Sequence, residues 1–245
     1  MAPARTRLSA AQADVLAHLV EEALDLLASD DPARARTTIG EAVALAPQAA
    51  EVLLLQAELA LLVDDWRSAE ASLRAAVADD PEHADAQHLL ASLLEDRGDM
   101  AGMIEHNLLV LALDTRADRR AGVGTPADLA FIEDHARRAL ESLPAHLAER
   151  IEEVPVVLEA RPSVDLVREC FDPRALGLFE GATDFARKAG HADTRPTRIV
   201  LFYANLLAIA TDDGTLAEQV EVTVLHELGH FFGLDEDDVA DLGLE

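Results

Sequence analysis

The chain has 245 residues, half of them hydrophobic, which is enough for one large or two small packed cores. Its formal charge is −27, from 47 Asp plus Glu against 20 Lys plus Arg, so its long-range field repels phosphate backbones and anionic membrane surfaces and excludes nucleic acid and membrane as partners. No apolar run reaches the roughly 18 residues that a spanning helix needs, and the basic N-terminus "MAPARTRLSAAQADVL" has no apolar stretch behind it. The single cysteine, Cys170, cannot form an internal disulfide and is expected to be buried; a soluble protein of the cytoplasm is the expectation. Aromatic residues are few (4%) and Ala and Leu abundant, which favours helix over sheet because these side chains lose little rotamer freedom in a helix.

The first half repeats itself every 34 residues. Ala23, Ala57 and Ala91 align, as do Leu27 and Leu61, Ala35 and Ala69, Ala42 and Ala76, and Pro47 and Pro81. That is the period of a helix-turn-helix solenoid, in which small residues at fixed positions let paired helices approach and a proline ends the second helix of each unit. The pattern resembles tetratricopeptide repeats over about residues 16 to 115, in three units. The third is degenerate, with Glu95, Met103, Asn107, Val110 and Thr115 at the repeat positions, as expected of a terminal unit that caps the stack. "RADRRAGVGTPAD", residues 116–128, breaks the pattern with Gly122, Gly124 and Pro126 and reads as a linker between residues 1–115 and a second domain, 129–245.

In that second domain an amphipathic helix is expected from about Ala130 to Leu143, and a short one from Pro144 through Ile151. "VPVVLEA" (154–160) and "RIVLFYANL" (198–206) read as strands, with "RECFDPRALGLFEGA" between them as loop or hairpin. Thr215 and Glu218 form a capping-box pattern opening a last long helix, whose Val220, Val224, Leu225, Leu228, Phe231 and Phe232 recur at core spacing.

That helix carries His226 and His230, one turn apart on one face, so their imidazoles can converge on one cation; two neutral imidazoles suit zinc. Glu227 follows the first histidine, where a carboxylate can take a proton from metal-bound water and return it to a leaving amine. Gly233 stands where the helix would end in a left-handed turn. The extended pattern is HExxHxxGxxE, with Glu236 at the position where metzincins place a third histidine after the glycine turn. Glu236 is thus the expected third ligand, with Asp235 and Asp237 as the alternatives in the same turn. Asp235 is better placed to cap a following helix.

The tail from about residue 130, including "LPAHLAERIEEVPVVLEARPS", "ALGLFEG", "RIVLFYANLL" and "TVLHELGHFFGLDEDDVADLG", resembles the minimal zincin-like metallopeptidases of bacteria. The resemblance implies a small α+β core with a twisted sheet and an active-site helix. It also implies an apparatus limited to His226, Glu227, His230 and an acidic third ligand. The repeat array is an addition that the minimal family does not require.

Tyr203 is placed in the strand that would border the cleft, either touching substrate or in the core. His191, in a polar loop, reads as a surface residue or else as a group supporting the metal ligands, and His18, His83, His88 and His106 as surface or groove residues of the repeats without ligand spacing. The expected protein is an α-helical tetratricopeptide-like solenoid followed by a small α+β zincin-like domain. Its expected activity is hydrolysis of a protein or peptide substrate with Zn2+, with a protein partner on the repeat groove. The rival is a non-catalytic interaction scaffold with a structural or vestigial metal site; an intact Glu227 between the two histidines favours the enzyme.

Overall fold

The computed structural model describes residues 8–29, 31–151, 154–181 and 197–235. The chain divides into two compact units, Met1–Leu113 and Asp114–Glu245.

The first unit is three helix pairs: α1 (Ala10–Ala28) with α2 (Pro32–Leu45), α3 (Ala50–Leu61) with α4 (Trp66–Asp79), and α5 (Ala84–Asp96) with the first part of α6 (Met100–Ala121). The aligned alanines are the packing points. Ala23, Ala57 and Ala91 on the first helices, and Ala35, Ala69, Ala42 and Ala76 on the second, are all fully buried. A second period of 34 lies in the caps. Asp31 and Asp65 cap α2 and α4 by accepting from the amides of Arg34 and Ser68, each at 3.1 Å, and Asp99 accepts from Gly102 N at 3.0 Å at the start of α6. The degenerate third unit thus keeps its cap while its core changes. Met103 and Val110 fill the sites of the small alanines, and Asn107 replaces Ile39 and Leu73. The Asn107 amide donates to Met103 Sδ at 3.2 Å, and its buried Oδ1 has no partner among the described residues, making this the least satisfied layer of the array.

The second unit opens with the rest of α6. The break expected over 116–128 is confined to residues 122–125, because α6 continues to Ala121 and α7 (Pro126–Glu141) begins with Thr125 as its cap. Then follow α8 (Ala145–Ile151), β1 (Val156–Glu159), α9 (Val164–Arg168), β2 (Gly177–Glu180), β3 (Arg198–Phe202), α10 (Tyr203–Ile209) and α11 (Asp213–Phe232). The sheet order is β1-β3-β2, with β1 parallel to β3 (Val157 opposite Val200) and β2 antiparallel to it (Gly177 opposite Leu201). Central β3 is buried on both faces. Ile199 and Leu201 join Ile132, Ala136 and Ala139 of α7 and Val220, Val224, Leu228 and Phe231 of α11 in one core, while Phe202, on the other face, meets Phe171.

Four local expectations are corrected. The apolar run 198–206 is a strand only to Phe202; Tyr203 starts α10, because a continuous apolar stretch cannot by periodicity mark where extended chain turns to helix. The "GLFE" stretch read as loop or hairpin is β2. The cap of α11 is Asp212 rather than a box at Thr215, with Thr215 N donating to Asp212 Oδ1 at 2.8 Å. Cys170 is exposed, because a left-handed residue (φ 71°) ends the turn after α9 there.

Gly122 and Gly124 both have positive φ, 69° and 86°, but only at Gly124 would a Cβ meet another group, the Tyr203 ring. Gly122→Ala should cost about 1–2 kcal/mol for the left-handed backbone alone, and Gly124→Ala about 1–3 kcal/mol more for the conflict with Tyr203. Urea unfolding of the two variants measures this; equal losses would show that Tyr203 does not pack on the turn.

Candidate metal centre

The centre is built on α11, whose ends are both fixed. Asp212 caps its start, and Gly233 ends it in the left-handed conformation (φ 89°), with Gly233 N donating to His230 O and Leu234 N to Gly229 O, each at 3.0 Å. The stop keeps the last turn of the helix, with its two histidines, at the surface of the core.

His226 and His230 are brought together. Their Nε2 atoms lie 3.0 Å apart, and the rings stand 4.7 Å apart at 78°. His230 Nδ1 is 3.2 Å from the carbonyl oxygen of Leu234, which can only accept, so the proton sits on Nδ1 and the Nε2 lone pair faces His226. This donor set fits zinc. Two nitrogens at bonds of about 2.0–2.1 Å and a tetrahedral angle would be roughly 3.3 Å apart, close to the spacing already present. Among the described residues no third His, Cys, Asp or Glu joins the pair in a cluster. Glu236 and Asp237 lie outside the described residues, as does His191, and Asp235 is the last residue before them.

Glu227 is buried, 6% exposed, beneath the same helix face. Its side chain lies against the start of β2: a Cβ on Gly177 would come within 2.8 Å of Glu227 Oε1 and 2.7 Å of Thr223 Cγ2. Only a residue without a side chain lets the strand backbone pass this close. Between strand and helix opens a cleft of about 480 Å³, with Phe171, Leu176, Leu178 and Phe179 on one side and Gln219, Val222, Thr223, His226, Glu227 and His230 on the other. The strand side is apolar, while α11 contributes polar groups along its length from Gln219 to His230.

Sequence reasoning missed Gly177 and Thr223. Gly177 lies in the stretch read as loop or hairpin; a glycine inside the short apolar run "LGLF" is the available signal for close backbone approach. Tyr203 does not line the cleft; its ring lies over Gly124. In the repeats, His83 Nδ1 caps α5 by accepting from Ala86 N, and His18 is exposed. His106 Nδ1 is 2.5 Å from Gln87 Oε1, and burial holds its imidazole below the ordinary histidine range.

Comparison with known families agrees with this arrangement. A family model described as zincin-like metallopeptidase matches residues 151–244, and one described as tetratricopeptide repeat matches residues 20–62 and 63–116. No curated protein matches the chain. The zincin-like match begins after α7, although α7 supplies Ile132, Ala136 and Ala139 to the core beneath α11.

The purified protein is expected to hold one zinc ion per chain, and the His226→Ala/His230→Ala variant none. Glu236→Ala should weaken binding about tenfold or more, and Asp235→Ala and Asp237→Ala far less. Metal analysis after dialysis and competition with a chelating dye measures both; a larger loss at Asp235 or Asp237 would move the third ligand to that residue.

Proposed function

We propose that this chain, which joins tetratricopeptide repeats to a zincin-like domain, is a zinc-dependent metallopeptidase whose repeats recruit a protein partner or substrate. The observation that carries the proposal is the pair of Nε2 atoms 3.0 Å apart with Glu227 buried beside them on the same helix, at one end of a cleft bordered by a strand edge. A structural site has no need of a carboxylate in that place.

His226, His230 and Glu236 would hold the metal, which when bound acts as a Lewis acid toward the scissile carbonyl and lowers the pKa of a water. The chain's own groups do the rest. Glu227 receives the proton of the attacking water and delivers it to the leaving amine, and its burial against Gly177 keeps the carboxylate from swinging into solvent. The Nδ1–H bond from His230 to the Leu234 carbonyl holds the imidazole in the tautomer a ligand requires. Strand β2 is bonded to β3 on one side and borders the cleft with residues 177–179, so an extended peptide can lie along its other edge. The apolar wall suits peptide segments with apolar side chains, and shielding from water strengthens the electrostatics at the histidine end. No described helix is long and apolar enough to cross a membrane. A cytoplasmic site of action fits the single cysteine.

Hydrolysis of an unstructured protein such as casein, with and without chelator, tests the proposal. Activity should require metal, and Glu227→Gln should keep its zinc while losing at least about 10²-fold in kcat. A protein that holds zinc and cleaves nothing, or a Glu227→Gln variant of undiminished rate, would favour the scaffold instead.

A further inference from the structure

The strand that lies against Glu227 is held by a partly buried set of charges that begins far upstream. Arg161, whose side chain is only 8% exposed, grips Asp118 with two bonds, Nε to Oδ2 at 2.6 Å and Nη2 to Oδ1 at 3.0 Å, and donates from Nη1 to Asp114 Oδ2 at 3.2 Å. Arg174 forks onto the same Asp114, Nε to Oδ2 at 2.9 Å and Nη2 to Oδ1 at 3.2 Å. Arg161 Nη1 also donates to Asn205 Oδ1, which turns the Asn205 amide toward the segment before β2, where it donates to the carbonyls of Pro173 at 3.0 Å and Ala175 at 2.6 Å. Leu176 O then accepts from Phe202 N at 2.8 Å, and the next residue is Gly177.

We propose that Asp114 is a positioning residue for the candidate cleft: through Arg174 directly, and through Arg161 and Asn205, its carboxylate fixes residues 173–175 and so sets Gly177 against Glu227. Two routes from one carboxylate meet on three consecutive residues, and those residues feed the strand whose glycine touches the proposed base. The charges are paired and partly shielded from water, Arg161 most of all, so removing one member leaves its partners without their hydrogen bonds and the local geometry gives way. Asp114 falls within the tetratricopeptide match, upstream of the zincin-like match, yet its carboxylate bonds to residues within the latter. One helix, α6, therefore carries both repeat-core residues and the anchor of the cleft wall.

The effect on turnover rests on the metallopeptidase reading; the effect on the strand does not, and the test separates them. Hydrogen exchange of the full-length, zinc-loaded protein is compared with that of Asp114→Asn and Arg174→Met, the latter at a side chain 29% exposed where folding is expected to survive. Amides of residues 176–180 should exchange roughly tenfold faster or more in both variants, while those of α7 and α11 stay within about twofold. Zinc content should be unchanged and kcat on the unstructured substrate should fall roughly tenfold, with KM little altered. Unchanged exchange at 176–180 in both variants, or a uniform rise across α7 and α11 as well, overturns the proposal. If the native protein cleaves nothing but exchange changes only at β2, the positioning of the strand stands and the enzyme reading falls.

Discussion

The site depends on one close approach, the passage of the β2 backbone over α11 at Gly177. Thr223 and Glu227 stand one turn apart on the helix, and the strand lies so near them that a Cβ at residue 177 would force one of these side chains to shift. This contact helps to bury Glu227 and forms one wall of the cleft that His226 and His230 also line. The rest of the unit presses the two elements together. The Ile199 and Leu201 face of β3 shares a core with Val220, Val224, Leu228 and Phe231, and α7, packed against α11, adds Ile132, Ala136 and Ala139 to it. On the order of 1.5–3 kcal/mol for each large apolar side chain so buried, this core is what holds a short three-stranded sheet in place.

The repeat unit combines large and small side chains. Leu73, Leu90 and Leu93 fill its core, the aligned alanines are its closest packing points, and its register is kept by aspartate caps at a constant spacing. Such units are stabilised by their neighbours, so the last one must change where there is no further copy to stack on. Met103 and Val110 fill that layer, and beyond it α6 loses the repeat pattern but not its helical form, carrying Asp114 and Asp118 into the charge network of the second unit.

The parts of this architecture set by local spacing were legible in the sequence. The 34-residue period showed the helix pairs, and the i, i+4 histidines with the glycine stop showed the convergent imidazole pair and the end of its helix. The aspartate caps were equally legible, since Asp31, Asp65 and Asp99 share the period, but cap residues are less conspicuous than the alanines between them. What could not be read depends on distance along the chain. Nothing in the sequence pairs Arg161 with Asp114, 47 residues away, and nothing marks Gly177 as the point where strand and helix meet. Local propensity also fails where apolar runs are continuous: "RIVLFYANLL" has no breaker, so its change from strand to helix at Tyr203 is imposed by packing on Gly124 and by the Ala204 N to Ala160 O bond at 3.1 Å.

The most direct test of this account is a crystal structure of the zinc-loaded protein with anomalous scattering recorded at the zinc edge. One peak per chain is expected, about 2.0–2.1 Å from Nε2 of both His226 and His230 and within bonding distance of a Glu236 carboxylate oxygen, with Glu227 beside it and not coordinated. A peak on other side chains, or His226 and His230 still bonded to each other with zinc elsewhere, would contradict it.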